Sequence, residues 1–242
     1  MRSTKIIATL GPATDAPQVL ARMFTAGVNV VRVNFSHGSA EDRQKRVTEV
    51  RRVSAELGLD VAILGDLQGP KIRVEKFANG PIELVEGAQF SLDPDLGEFD
   101  GDINQVGITY PPLAEDVSEG DVLLLDDGQI ELLVTEVTGK RVNCRVVVGG
   151  KLSDNKGMNR QGGGLSAPAL TEKDLEDIEA AAAMQLDFLA VSFPRSAADI
   201  ENARRLLHEA GGSGLIVAKI ERAEAVEDLE NIVEASDVIM IA

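Results

Sequence analysis

Apolar residues in the first 70 positions fall into short, near-continuous runs separated by amphipathic stretches. Residues 5–10 form a β-rich run that Gly11-Pro12 closes. Asp15 is placed to cap a helix carrying Val19, Leu20, Met23 and Phe24, which Gly27 ends. Residues 28–35 predict a second buried strand. Ser39 opens a longer helix with Val47, Val50, Val53 and Leu57 at helical spacing, stopped by Gly58. Residues 61–67 predict a third strand. A βαβαβ order with strands this continuously apolar implies a parallel sheet covered by helices.

The period then changes. From 74 to about 157 apolar residues alternate with polar ones, as in Ile82 and Leu84, Phe90 and Leu92, Val122 and Leu124, Ile130, Leu132 and Val134, and Val142, Cys144 and Val146. Asn79-Gly80, Asp127-Gly128 and Thr138-Gly139 supply turns between them. The pattern predicts a small antiparallel β-barrel or sandwich inserted after the third strand, with Cys144 as a core residue. After Gly162-Gly163-Gly164, read as a turn or hinge, the α/β rhythm returns. Thr171 caps a helix in a near capping box with Asp174, and Leu175, Ile178 and Ala182 form its buried stripe. Strands follow at 187–193, 214–220 and 237–242, with helices at 196–210 and 223–235 between them. The expected domains are therefore 1–73, 74–157 and 158–242. The sixth strand ends the sequence without a covering helix, which reads as the front of a longer protein. Six strands suit either an incomplete (β/α)8 barrel or a doubly wound sheet, and periodicity does not choose.

Composition narrows the function. Of 242 residues, 24 are Lys or Arg and 40 are Asp or Glu, a formal net charge of -16. The middle segment carries most of the deficit, with no Lys or Arg between Phe77 and Gly139. Nucleic acid and anionic membrane are therefore not expected partners. One Cys excludes an internal disulfide framework. No apolar run is long enough for a membrane span, and the N-terminus enters a strand pattern without a secretory layout.

Polar residues on buried strands carry the chemistry. Arg32, Asn34 and Ser36 alternate along the second strand and its end, Asp66 ends the third, and Lys219 and Glu221 alternate at the end of the fifth. In barrel enzymes the C-terminal rim of the strands holds the site. Arg32 and Arg73 suit phosphate or carboxylate oxygens. Lys219 suits a phosphoryl group, and Asp66 and Glu221 are hard oxygen ligands for Mg²⁺ or Mn²⁺. Lys219 and Glu221 lie on one side of a strand, about 7 Å apart along the backbone. His37 follows the polar strand end, where it either meets a nucleotide or fixes the loop. His208, late in a helix, suits a surface or helix-dipole role. No P-loop and no dinucleotide-binding glycine fingerprint is present.

These segments together resemble the pyruvate kinase family, bacterial type, from the first strand to the last residue. The matching runs are Lys5-Ile6-Ile7-Ala8-Thr9-Leu10-Gly11-Pro12-Ala13, Asn29-Val30-Val31-Arg32-Val33-Asn34-Phe35-Ser36-His37-Gly38 and Gly65-Asp66-Leu67-Gln68-Gly69-Pro70-Lys71-Ile72-Arg73. Leu152-Ser153-Asp154-Asn155-Lys156-Gly157 and Ala218-Lys219-Ile220-Glu221 complete them. The resemblance implies a TIM barrel with an all-β domain inserted after strand three, about six strands of that barrel being present here. It implies a glycolytic, cytoplasmic phosphotransferase that turns phosphoenolpyruvate and ADP into pyruvate and ATP, homotetrameric at full length. By the same resemblance Arg32 and Lys219 are catalytic and bind substrate, with Ser192 and Phe193 lining the cavity. Glu221 is a Mg²⁺ ligand. Asn34, Ser36 and Asp66 surround a monovalent-cation site. Pro12, Asn34, His37, Arg73 and Lys156 lie on the nucleotide side.

Two departures from the family pattern stand out. Leu67 replaces a usual threonine, and Lys71 replaces a usual acidic residue, which implies that K⁺ is not required. The Arg-Gly-Asp segment that supplies the second Mg²⁺ ligand in the family would follow Ala242, so this stretch alone is expected to be inactive. Two other readings fit parts of the pattern: another Mg²⁺-dependent barrel that handles phosphoenolpyruvate or pyruvate, and a non-catalytic phosphate-binding fragment. The inserted β segment and the Asn34–Gly38 motif speak against the first. An encoding frame that runs past Ala242 would dismiss the second.

Overall fold

A computed structural model describes residues 3–242; the first two residues of the N-terminal segment read above lie outside it. The chain divides into two compact units, one of residues up to Pro70 with Pro168–Ala242, the other Lys71–Ala167.

The first unit opens with β1 (Ile7–Thr9), a 3-10 turn (Pro12–Thr14), α1 (Pro17–Thr25), β2 (Val30–Asn34), α2 (Ala40–Leu57) and β3 (Ala62–Asp66). Asp15 does not cap α1. The N-cap is Ala16, with Pro17 presetting the first turn, and the Asp15 carboxylate is held instead by Arg46 of α2 through Nε at 2.6 Å and Nη2 at 3.0 Å. Ser39 does cap α2, accepting from the Asp42 amide while the Asp42 carboxylate accepts from the Ser39 amide, and Gly58 closes the helix in the left-handed conformation. Val47, Val50 and Val53 are buried, but Leu57 is exposed, because the helix is ending where the stripe would continue.

The second unit carries β4 (Ile82–Leu84), β5 (Gln89–Leu92), β6 (Gln105–Val106), a one-turn α3 (Leu113–Asp116), β7 (Val122–Leu125), β8 (Ile130–Thr138), β9 (Arg141–Val148), β10 (Gly150–Leu152) and β11 (Met158–Arg160). Its main sheet runs β11-β7-β8-β9-β5-β6, antiparallel except for the β5–β6 pair, and β10 pairs with β4. Phe90, Leu92, Ile130, Leu132, Val142, Cys144 and Val146 are buried in its core. In β7 the parity is the reverse of that expected. Leu123 and Leu125 point inward and Val122 and Leu124 do not, since an unbroken apolar run conceals its phase. This unit extends beyond the expected 74–157 at both ends, because Ile72, Leu165 and Ala167 pack on its core.

The first unit resumes with α4 (Glu172–Ala183), β12 (Phe188–Val191), α5 (Ala197–Glu209), β13 (Leu215–Ile220), α6 (Ala223–Glu227), α7 (Leu229–Ala235) and β14 (Val238–Ile241). The helix expected over 223–235 is two helices broken at Asp228, whose carboxylate accepts from the Ala197 amide at 3.0 Å. The stripe of α4 is also rotated. Leu175 is exposed, and Asp174, Asp177, Ile178, Ala181 and Ala182 are buried.

All six strands of this unit are parallel, in the order β1-β2-β3-β12-β13-β14. The chain is therefore α/β, with a curled parallel sheet forming half a barrel. The sheet has two distinct faces. One packs on the helices through a large cluster that includes Val31, Val33, Ile63, Leu189, Ile216 and Ala218. The other carries a smaller cluster of Leu64, Ala190 and Val217, with Val30, Phe188 and Met240 against it. Because side chains alternate across a strand, the second face continues toward the C-terminal strand ends as Arg32, Asp66, Ser192, Lys219 and Glu221. Among the described residues no helix is long and apolar enough to cross a membrane.

Candidate active site

The parallel register brings these polar residues together. Arg32 grips one oxygen of Asp66, Oδ2, with Nε at 2.7 Å and Nη2 at 2.5 Å, and its Nη1 donates to Thr9 Oγ1 at 3.1 Å. The other oxygen, Oδ1, lies 3.4 Å from Lys219 Nζ and 3.4 Å from Ser192 Oγ. Lys219 Nζ donates to Ser192 Oγ at 2.8 Å and lies 3.1 Å from Glu221 Oε1. Ser192 Oγ donates in turn to the Leu67 carbonyl at 2.7 Å.

Two cations and two carboxylates thus form one chain, Arg32–Asp66–Lys219–Glu221, with no net charge. Asp66 is buried, with a side chain 2% exposed, while Arg32 retains 27%. A buried carboxylate is tolerated here because both of its oxygens have cationic partners. The outermost charge is the guanidinium, whose planar fork suits an incoming phosphate or carboxylate.

Glu221 is fixed from a second side. Its Oε2 accepts from the Phe193 amide at 3.0 Å, and Phe193 has a positive φ of 55°, uncommon for a bulky residue. Gly69, φ +64°, passes so close to this turn that a Cβ would meet Ser192 Cβ and Phe193 Cδ2 at 2.9 Å. Its amide donates to Asp174 Oδ1 at 3.1 Å.

Asn34 Oδ1 accepts from the Ser36 amide at 2.9 Å and shapes the turn after β2. His37 is exposed on that turn, and Pro12 is exposed on the 3-10 turn after β1. Arg73 and Lys156 belong to the second unit. There Arg73 Nη1 donates to the Asn155 carbonyl, and Lys156 Nζ pairs with Asp126 Oδ1 at 2.7 Å. Asp126 is the first of three consecutive residues with positive φ, Asp126, Asp127 and Gly128, so a tight turn presents the carboxylate to Lys156. Lys71 opens the second unit and is partly buried.

For a divalent metal the donor chemistry is suitable but sparse. Asp66 has both oxygens engaged by cations; Glu221 has one oxygen beside Lys219 and the other on the Phe193 amide, and is the more exposed of the two carboxylates. Among the described residues no group of three potential ligands stands together. That composition fits Mg²⁺, which commonly takes one or two carboxylates and completes its shell with water and substrate phosphate. A cavity of about 480 Å³ opens between the 3-10 turn and α2, lined by residues such as Asp15, Lys45 and Glu49, and shares no residue with the charge chain.

The sequence reading missed Thr9, Arg43, Lys173, Asp174 and Asp177, all of which hold rim backbone or rim side chains. The available signal was a pair of acids three residues apart on the buried side of α4, obscured by placing the stripe on Leu175.

The half-barrel thus carries alternating acids and bases at its C-terminal strand ends, the rim at which α/β barrel enzymes hold their sites. The family model for the pyruvate kinase barrel domain matches residues 1–242, and the chain belongs to the pyruvate kinase family. It is 56% identical to pyruvate kinase II of Salmonella typhimurium over 245 aligned residues, 53% to pyruvate kinase of Haemophilus influenzae, and 42% to that of Mycobacterium tuberculosis. Each alignment covers 100% of this chain and 51% of the relative, so the chain spans about half the length of these curated relatives.

Proposed function

We propose that this chain carries the phosphoryl-transfer site of a pyruvate kinase, which moves the phosphoryl group of phosphoenolpyruvate to ADP and yields pyruvate and ATP. The observation that carries the reading is the placement of Lys219 and Arg32 on opposite oxygens of buried Asp66. Phosphoryl transfer requires positioning and charge stabilisation more than a covalent nucleophile. Arg32 binds the substrate phosphoryl oxygens with its exposed edge while Asp66 fixes the orientation of its plane. Lys219, 12% exposed, gives its ammonium to the transferring group, where a dry surrounding strengthens the attraction. Ser192 and Glu221 aim the ammonium, and the turn at Phe193 lines the substrate cavity.

Glu221 would hold Mg²⁺ or Mn²⁺, which when bound neutralises phosphate charge. By likeness to the family, Pro12, Asn34, His37, Arg73 and Lys156 are nucleotide-binding residues. In this reading the half-barrel is part of a (β/α)8 barrel and residues 71–167 are its inserted β domain. Asn34, Ser36 and Asp66 surround a monovalent-cation site whose charge Lys71 supplies in place of K⁺. A cytoplasmic location and a full-length homotetramer go with the same reading.

The test is product analysis on the full-length protein with phosphoenolpyruvate, ADP and Mg²⁺. Pyruvate and ATP should form in equal amounts and only when ADP is present. Consumption of phosphoenolpyruvate without ADP would contradict the reading and favour a different enolpyruvate chemistry.

A further inference from the structure

Behind the rim lies a second set of charges that the phosphoryl-transfer reading does not use. Asp177 of α4 is 4% exposed and Arg43 of α2 is 6% exposed. Asp177 Oδ1 accepts from Arg43 Nη2 at 3.0 Å, and Asp177 Oδ2 accepts from Lys173 Nζ. Both cations then turn to the same short stretch of backbone. Lys173 Nζ donates to the Phe35 carbonyl at 2.9 Å. Arg43 Nη1 reaches the Phe35 carbonyl at 3.4 Å and the Gly38 carbonyl at 3.3 Å, and its guanidinium lies 4.7 Å from the centre of the Phe35 ring.

Three charges from two helices are thus spent on the loop that follows β2. Burying Asp177 and Arg43 is unfavourable unless their geometry is fixed and bonds replace those to water; both Asp177 oxygens and both terminal Arg43 nitrogens have such bonds, and Arg43 Nε does not. What they hold is not a helix end or a strand but the turn bearing Ser36 and His37, one residue beyond Asn34. One turn earlier on the same helix, Asp174 binds the Gly69 amide of the loop after β3. The start of α4 therefore grips two neighbouring rim loops, while none of its own side chains joins the charge chain at the rim.

We infer that Asp177, with Lys173 and Arg43, is a positioning group for the Phe35–Gly38 loop, and that it sets the affinity of the site for the nucleoside diphosphate. Supporting groups that lock the parts of a site directly contacting the ligand determine how closely those parts keep their geometry. This rests on the function proposed above, since it takes that loop to face the nucleotide. Loosening the loop should weaken nucleotide binding and leave the enolpyruvate phosphate, held by Arg32 and Lys219, largely unaffected.

Two variants of the full-length protein test this, Asp177→Asn and the milder Lys173→Met, whose lysine side chain is 42% exposed and whose loss the fold should tolerate. The readouts are the KM values for ADP and phosphoenolpyruvate and amide hydrogen exchange over residues 35–38. We expect the ADP KM to rise at least fivefold in both variants and the phosphoenolpyruvate KM to stay within twofold. Exchange at Ser36, His37 and Gly38 should quicken at least tenfold, with the middle of α2 and α4 unchanged. Unchanged KM values with only a lower melting temperature would overturn the inference and leave a structural ion cluster. If the parent makes no ATP, the function reading fails by itself, and exchange then decides: faster exchange confined to 36–38 supports the positioning role, and unchanged exchange overturns it.

Discussion

Arg32 places two nitrogens on a single oxygen of Asp66 and leaves the other oxygen to face Lys219. A side-on pair to one oxygen is less common than a fork across both, and here it has a consequence. One buried carboxylate orients two cations that approach from different strands, β2 and β13, which are separated by β3 and β12 in the sheet. Asp66→Ala would remove that tie and leave Lys219 with Ser192 and the Glu221 carboxylate. Breaking a buried pair by deleting one partner typically costs about 3–5 kcal/mol. The loss should be visible as a lower urea midpoint, together with a fall in kcat/KM for phosphoenolpyruvate. The conservative Asp66→Asn should recover part of the stability and little of the activity.

The glycine at 65 is a packing requirement. A Cβ there would meet Leu186 Cδ1 at 2.7 Å and Phe35 Cε2 at 2.8 Å, and both neighbours lie in the main core. Gly65→Ala should destabilise by about 1–3 kcal/mol through overpacking. Equilibrium denaturation measures it. A variant as stable as the parent would mean that Phe35 can move aside at no cost, which would also weaken the view of a tightly held loop.

Burial pushes the Cys144 thiol from an ordinary 9.0 up to about 12. The sign of its linkage follows. Above pH 9 the unfolded chain loses this proton and the folded chain keeps it, so the contribution is complete below pH 9 and is lost as pH rises toward 12. The slope is about 1.4 kcal/mol per pH unit in that window. Cys144→Ala should therefore show a shallower alkaline loss of stability than the parent. Lysines such as Lys76 and Lys140, also shifted upward by their carboxylate partners Glu98 and Asp95, titrate alike in both proteins and cancel. The native thiol should also resist thiol reagents at pH 8 until denaturant is added.

Lys71 carries a separable prediction. If a tethered ammonium replaces a bound K⁺ beside the phosphates, full-length activity should survive replacement of K⁺ by tetramethylammonium, and Lys71→Glu should create a K⁺ requirement. A parent that loses more than tenfold without K⁺ would contradict the substitution argument.

Much of the first unit was legible because its signals were local. Ser39, and Thr171 with Asp174, read correctly as helix starts, since capping signals lie within a few residues of one another. Arg32, Asp66, Lys219 and Glu221 read as a group because polar residues on buried strands are costly, and parity along each strand fixed the face they share. What failed needed tertiary information. Asp15 looked like a cap until Arg46, thirty-one positions away, took its carboxylate. The phase of β7 was hidden in Leu123-Leu124-Leu125, where every residue is apolar. In α4 Ile178 and Ala182 are buried as expected, but Leu175 is not, because Asp174 and Asp177 turn inward to Gly69 and Arg43, contacts that no window of helical length contains. For Lys156 and Lys71 the sequence supplied roles only by likeness to a family.

The central claim is that Lys219 stabilises the phosphoryl group in transfer. Steady-state kinetics of full-length Lys219→Met against the parent, with phosphoenolpyruvate, ADP and Mg²⁺, test it most directly. Loss of a charge contact made mainly in the transition state predicts a fall in kcat of about 10²–10³, with unfolding by urea little changed. A kcat within threefold of the parent would contradict it.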